Sequence, residues 1–200
     1  QTGSQWPENF KRFKYNLGVG DNLALTLLKE EDVLSQVVQD EDGGDQNLIF
    51  ESQNDTILET KGRIGSDGSV LLLEVGRLEA NGKTLNELQA EVRNILIRNG
   101  ASPRFQLEII EFKSQKAYLT VNKKSRVILL DDQQRTLRNV LTAAEVGFTP
   151  GVTTSIRLQR DGQEYLMSLR SIFGRDAPDV TIYNRDHIFV ENTSTNIISS

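Results

Sequence analysis

Tyr15-Asn16-Leu17-Gly18-Val19-Gly20-Asp21 decides how the rest of the chain is read. Tyr15 and Leu17 alternate with Asn16, the period of an extended strand, and Gly18 and Gly20 then break it. Asp21 comes straight after the second glycine, where its short carboxylate can bond nearby backbone N–H groups. The phrase is a strand ending in a glycine turn. It is not a nucleotide loop, because the third glycine of that pattern is absent and no helix follows. Instead Leu23, Leu25 and Leu27 alternate with Asn22, Ala24 and Thr26, predicting a half-buried strand.

Working outward, Ser66-Asp67-Gly68 is turn chemistry between Arg63-Ile64-Gly65 and an apolar strand over 70–75, which predicts a hairpin. Asn81-Gly82 punctuates the chain before Thr84-x-x-Glu87, a capping box in which hydroxyl and carboxylate satisfy each other's backbone N–H groups. Leu85, Leu88, Val92, Ile95 and Leu96 lie on one helical face, with Gly100 placed to terminate it and Pro103 just beyond. Phe105, Leu107 and Ile109 then alternate until Ile110 and Phe112 shift the phase. That slip predicts a bulge or a change of sheet, and sets a boundary within 110–114. Residues 1–12 read as a tail, and 30–60 as an acidic excursion with a short helix over 33–38 and a strand over 48–50.

Beyond the boundary, strands are predicted over 117–121 and 127–130. Thr136 caps a helix over 137–146 that Gly147 closes. Asp161-Gly162 is a two-residue hairpin loop, setting Leu158 opposite Tyr165 and Ile156 opposite Met167, with Arg157 and Gln159 turned the other way. Strands over 180–183 and 188–190 flank the turn Asn184-Arg185-Asp186, and 193–200 reads as a second tail. Strand, strand, helix, hairpin, strand over 113–192 is the order of a β-grasp.

The 200 residues carry a net charge of -5, with 37% hydrophobic and 26% charged residues, the composition of an ordinary globular chain. No apolar run is long enough for a spanning helix, and no secretory leader stands at residues 1–20. This is expected of a processed chain or a piece of a longer one. An acidic chain without a Lys/Arg-dense face is a poor partner for nucleic acid. The absence of cysteine excludes disulfides, thiolate metal sites and cysteine nucleophiles. A single histidine, His187, cannot build a histidine metal cage or a conventional triad, and is expected to be structural. Asp40-x-Asp42-x-Gly44 with Glu51 imitates a calcium loop, but its sixth position is Asp45 and not glycine. Neighbouring Asp131 and Asp132 would point to opposite faces of a strand, badly placed to flank one glycosidic bond. No catalytic residue, metal ligand or cofactor site is expected.

Taken in order, Tyr15, Leu17, Gly20, Asp21, Asp67, Gly68, Gly82 and Thr84 resemble the first domain of the outer-membrane polysaccharide export proteins. Thr136-Leu137, Ile156-x-Leu158-x-Arg160 and Asn184-Arg185-Asp186-His187-Ile188-Phe189-Val190 resemble the soluble-ligand-binding β-grasp domain that follows it. The opening of that module differs here, since Val121-Asn122-Lys123-Lys124-Ser125-Arg126-Val127 lacks the family's Gly and Pro-Gly. The resemblance implies an α+β fold: a small mixed-sheet export domain over 13–112, then a β-grasp domain over 113–192. It further implies a non-catalytic part of capsular or exopolysaccharide export in the periplasm, associated with the outer membrane. A homo-oligomeric ring would enclose the polymer in transit and meet an inner-membrane polysaccharide co-polymerase. Such members are commonly lipoproteins, whose acceptor cysteine would lie before Gln1. The alternative is a stand-alone periplasmic carbohydrate-binding β-grasp module.

Overall fold

The computed structural model describes residues 6–10, 12–29 and 56–194. The helix expected over 33–38, the strand over 48–50 and the calcium-like loop lie outside these residues.

Two hydrophobic cores that share no residue organise the chain. The first is built on a three-stranded sheet of order β2-β1-β5, from β1 (Asn22–Leu28), β2 (Thr56–Arg63) and β5 (Phe105–Glu111). The leucine alternation in β1 works as read: Leu23 and Leu25 are wholly buried and pair with Ile109 and Leu107. Helix α1 (Leu85–Arg98) covers this face with Leu88, Val92 and Leu96, each such side chain worth about 2 kcal/mol on burial. Its capping box is fully formed, Glu87 N–H to the Thr84 hydroxyl and Thr84 N–H to the Glu87 carboxylate. Gly100, at φ +72°, ends it while Ala101 N–H returns to the Leu96 carbonyl.

Two expectations for this half need correction. The strand read over 70–75 stops at Leu72: β3 (Ser69–Leu72) pairs with β4 (Gly76–Glu79) and not with the segment before the Asp67 turn. Glu74 (φ +68°) and Gly76 (φ +100°) turn the chain back sooner than its apolar run implies. The sheet expected to be mixed is antiparallel in every pairing. The phase slip is a bulge: Asn22 pairs with Glu111 and Leu23 with Ile109, leaving Ile110 as the extra residue.

The second core lies under a five-stranded sheet of order β7-β6-β10-β8-β9. Its strands are β6 (Lys116–Val121), β7 (Lys124–Leu129), β8 (Val152–Arg160), β9 (Gln163–Ser168) and β10 (His187–Ser194). β10 runs parallel to β6 and antiparallel to β8, and α2 (Leu137–Ala143) buries Leu137, Val140 and Leu141 against one face. This is a β-grasp. The Asp161-Gly162 hairpin has the register read from the sequence, Leu158 opposite Tyr165 and Ile156 opposite Met167. Both loop residues have positive φ, +50° and +76°.

The elements differ from the sequence reading in their ends. α2 stops at Ala143, because Glu145 at φ +59° takes the terminating role expected of Gly147, and Val146 N–H returns to Leu141. The strand read over 180–183 is one bridge, Thr136 to Thr181, running along the helix cap and not in the sheet. β10 continues to Ser194, so residues 193 and 194, read as tail, pair with Thr153 and Val152. The Gly- and Pro-free stretch after Val121 is a tight hairpin through Asn122 and Lys123, at φ +50° and +66°. A short helix α3 (Leu169–Ile172) was not foreseen.

Candidate functional site at the seam between the cores

The chain passes between the cores at residues 112–115, and Asp21 holds it there. Asp21 is wholly buried. Its Oδ1 accepts from Lys113 N–H at 2.8 Å and Ser114 N–H at 2.9 Å. Its Oδ2 accepts from the Ser114 hydroxyl at 2.7 Å and Gly18 N–H at 3.0 Å. The Tyr15 hydroxyl donates to the same carboxylate, at 3.0 Å to Oδ2, and the Tyr15 ring meets Phe112 edge-on at 5.0 Å. Burial pushes the Tyr15 phenol well above its ordinary pKa of 10.0, and the Asp21 charge adds to the effect while Ser114 opposes it. Gly18 is required by close approach: a Cβ there would lie 2.6 Å from Ser114 Cβ. Gln115 Nε2 completes the seam by donating to the Asn16 carbonyl at 2.9 Å.

The other residues read as family markers gather around the same turn. Leu17 exchanges backbone bonds with Gly82 N–H and the Lys83 carbonyl, both 2.8 Å. Gly20, at φ +98°, donates to the Ile64 carbonyl. The Gly68 carbonyl accepts from both Ala80 and Asn81, while Asp67 holds Ser69 through its N–H and hydroxyl. Those bonds keep the Asp67 carboxyl below its ordinary range. Seven of these residues, with Thr84, thus form one knot of turns. Asp186 belongs to the second core.

Asp186 is nearly wholly buried and forms a two-pronged ion pair with Arg160, Nε to Oδ1 at 2.9 Å and Nη2 to Oδ2 at 2.6 Å. It also accepts from Tyr183 N–H at 2.8 Å. Arg160 donates further to the Thr181 and Glu8 carbonyls and lies 4.7 Å from the Tyr183 ring centre. The N-terminal stretch read as a tail is pinned here over its described part. Asn9 Oδ1 accepts from Thr181 N–H, Asn9 Nδ2 donates to the Asp179 carbonyl, and Phe10 packs on Tyr183 at 4.3 Å. Between strap and seam lies an open cleft of about 520 Å³, whose lining includes Phe10, Arg12, Tyr15, Asp131, Tyr183 and Arg185.

Chemically, the seam fixes backbone in place. Both buried carboxylates use their lone pairs on donors of the protein itself. Asp131 accepts from Gln133 N–H and pairs with Arg135 at 3.2 Å, while Asp132 is exposed, so the two do not converge on a common point. His187 lies on the open sheet face between Tyr118 and Phe189. Sequence reasoning missed Ser114, which carries no local signal. It undervalued Arg160, which did carry one: a charge in phase with the inward Ile156 and Leu158.

The profile of the family described as polysaccharide biosynthesis/export protein matches residues 11–110. The EPS I polysaccharide export outer membrane protein of Ralstonia nicotianae is 25% identical over 132 residues, 64% of this chain and 35% of that protein. Its Ralstonia solanacearum counterpart is 24% identical over the same extent. The chain thus spans about a third of the length of these relatives. With half its residues under the family profile, and the profile spanning the knot of turns around Asp21, this chain belongs to the polysaccharide biosynthesis/export protein family.

Proposed function

We propose that this chain is a structural wall element of a capsular or exopolysaccharide export conduit. It works without catalysis in the periplasm, associated with the outer membrane. Copies of it form a ring around the polymer in transit, and the ring meets an inner-membrane polysaccharide co-polymerase. The division of labour is between an export domain over 13–112 and a β-grasp domain over 113–192, an assignment supported by two cores that share no residue. The reading rests on one observation above the others. The buried Asp21 carboxylate is consumed in bonding donors from both sides of the seam, which suits a part that must keep its angle under load. The outer-membrane placement is drawn from the names of the Ralstonia relatives. No helix among the described residues is long and apolar enough to cross a membrane, which says nothing of strands.

Deletion of the gene in its host tests this reading. Polymer should vanish from the medium or cell surface and accumulate inside the envelope, with synthesis continuing. Unchanged surface polymer overturns it. Chemical cross-linking of the full-length protein in envelopes should give a closed ladder of oligomers. The alternative, a stand-alone carbohydrate-binding module, has one feature in its favour: Tyr118, His187 and Phe189 stand side by side on the open sheet face, 5.1 and 4.7 Å apart. Sugar binding by a strictly monomeric full-length protein, with export intact after deletion, would favour that reading.

A further inference from the structure

A groove separates α2 from the inward face of the edge strand β7, with a volume of about 340 Å³. Leu119, Ile128 and Val140 contribute an apolar floor, and Arg126, Arg135 and Asn139 stand among its polar lining. No Asp or Glu lines it, although the chain carries a net charge of -5. Arg126 pairs in register with Leu119, a wholly buried residue, so its strand position faces the helix side, where an apolar side chain would ordinarily close the core. Instead Arg126 is exposed and makes no ion pair among the described residues. Arg135 gives one amine to Asp131 at 3.2 Å. A guanidinium has five donors, so that single contact leaves others to a ligand.

From these features we infer that the groove binds a sugar unit carrying a carboxylate, as in a uronic-acid segment of an acidic polysaccharide. The apolar floor takes the C–H face of a pyranose ring, and the planar guanidinium groups match the carboxylate in two-pronged fashion. A volume at the low end of ligand pockets suits a short oligosaccharide and not a folded partner. The ligand class, though not the groove, rests on the proposed role in polysaccharide export. An inward-pointing charge on an edge strand also discourages edge-to-edge pairing, and that role by itself predicts no saturable binding.

The test is an NMR titration of the isotope-labelled chain with tri-galacturonate, with maltotriose as neutral control and inorganic phosphate as anion control. Tri-galacturonate should give saturable shifts at Arg126, Ile128 and Val140, and maltotriose none. Arg126→Ala should weaken binding about ten-fold or more, and Arg126→Lys should recover part of it without the two-pronged match. Because Arg126 is exposed, both variants should keep the wild-type melting temperature. Three results overturn the inference: no saturable shift, shifts confined to other regions, or affinity unchanged in Arg126→Ala. Phosphate producing the same shifts as strongly overturns the sugar assignment and leaves a general anion groove. Failure here, with surface polymer still lost on gene deletion, removes the groove's role and spares the export reading. Binding with export unaffected by deletion does the reverse.

Discussion

The knot around Asp21 and the knot around Asp186 each bury one carboxylate, yet they spend it differently. Asp21 faces backbone N–H groups and hydroxyls, with no cation paired to it among the described residues, and its donors come from residues 15–18 and 113–114. Asp186 faces a guanidinium and lies within a single core. The first arrangement joins two pieces of chain far apart in sequence, and its partners cannot be mutated away because most are main chain. The second is a side-chain pair of the kind that apolar residues can replace at little cost. A seam made from backbone donors is therefore harder to substitute than an ion pair of similar depth.

Substitutions sharpen that contrast. Asp21→Ala removes the acceptor for three N–H groups, that of Gly18 buried and those of Lys113 and Ser114 part-buried, and leaves the Tyr15 and Ser114 hydroxyls only each other; it should cost on the order of 4 kcal/mol. Urea unfolding measures the loss, and limited proteolysis should show new cleavage near residues 112–116. A stable, uncut variant would mean the seam does not depend on this carboxylate. Asp186→Ala leaves a buried, unpaired Arg160 and should cost about 3–5 kcal/mol, without exposing that cleavage site. Adding Arg160→Met should recover much of the loss, whereas no single second substitution should rescue Asp21→Ala.

Gly18→Ala forces a Cβ against Ser114 and should cost about 1–3 kcal/mol, relieved by Ser114→Gly. An equal penalty in both backgrounds would refute close approach as the cause. The Tyr15 phenol supplies a pH test confined to the seam. Its pKa is raised in the folded state, so the stability it contributes is whole below pH 10 and is lost progressively as pH rises beyond it. Tyr15→Phe should flatten this alkaline decline in thermal melts. The smallest expected effect is a gain. Glu145 holds a left-handed conformation at an exposed helix end, so Glu145→Gly should stabilise by about 0.5–1 kcal/mol and raise the melting temperature without touching the seam.

Legibility followed the range of the forces. The Thr84 capping box and the Asp161-Gly162 hairpin were read correctly because both are settled within a few residues, by hydrogen bonds and turn sterics. The end of α2 was misread for the same reason turned around. Gly147 is the better terminating residue by local preference, but burial of Leu141 and Val146 near the core placed the left-handed turn at Glu145 instead. In the candidate site, Asp21 and Asp186 were legible as members of turn motifs. Their partners Ser114 and Arg160 lie 93 and 26 residues away, beyond the reach of any local pattern.

The chain's own letters determined the alternation of apolar residues, the helix starts written by caps, the hairpin register and the family to which the chain belongs. Each of these is an interaction between near neighbours, or a pattern held in order along the backbone. Only the three-dimensional arrangement decided that β10 would lie between β6 and β8, that the N-terminal strap would pack on Tyr183, and that one carboxylate would hold the seam. These depend on contacts between distant segments, whose worth arises when packing removes water from both partners at once.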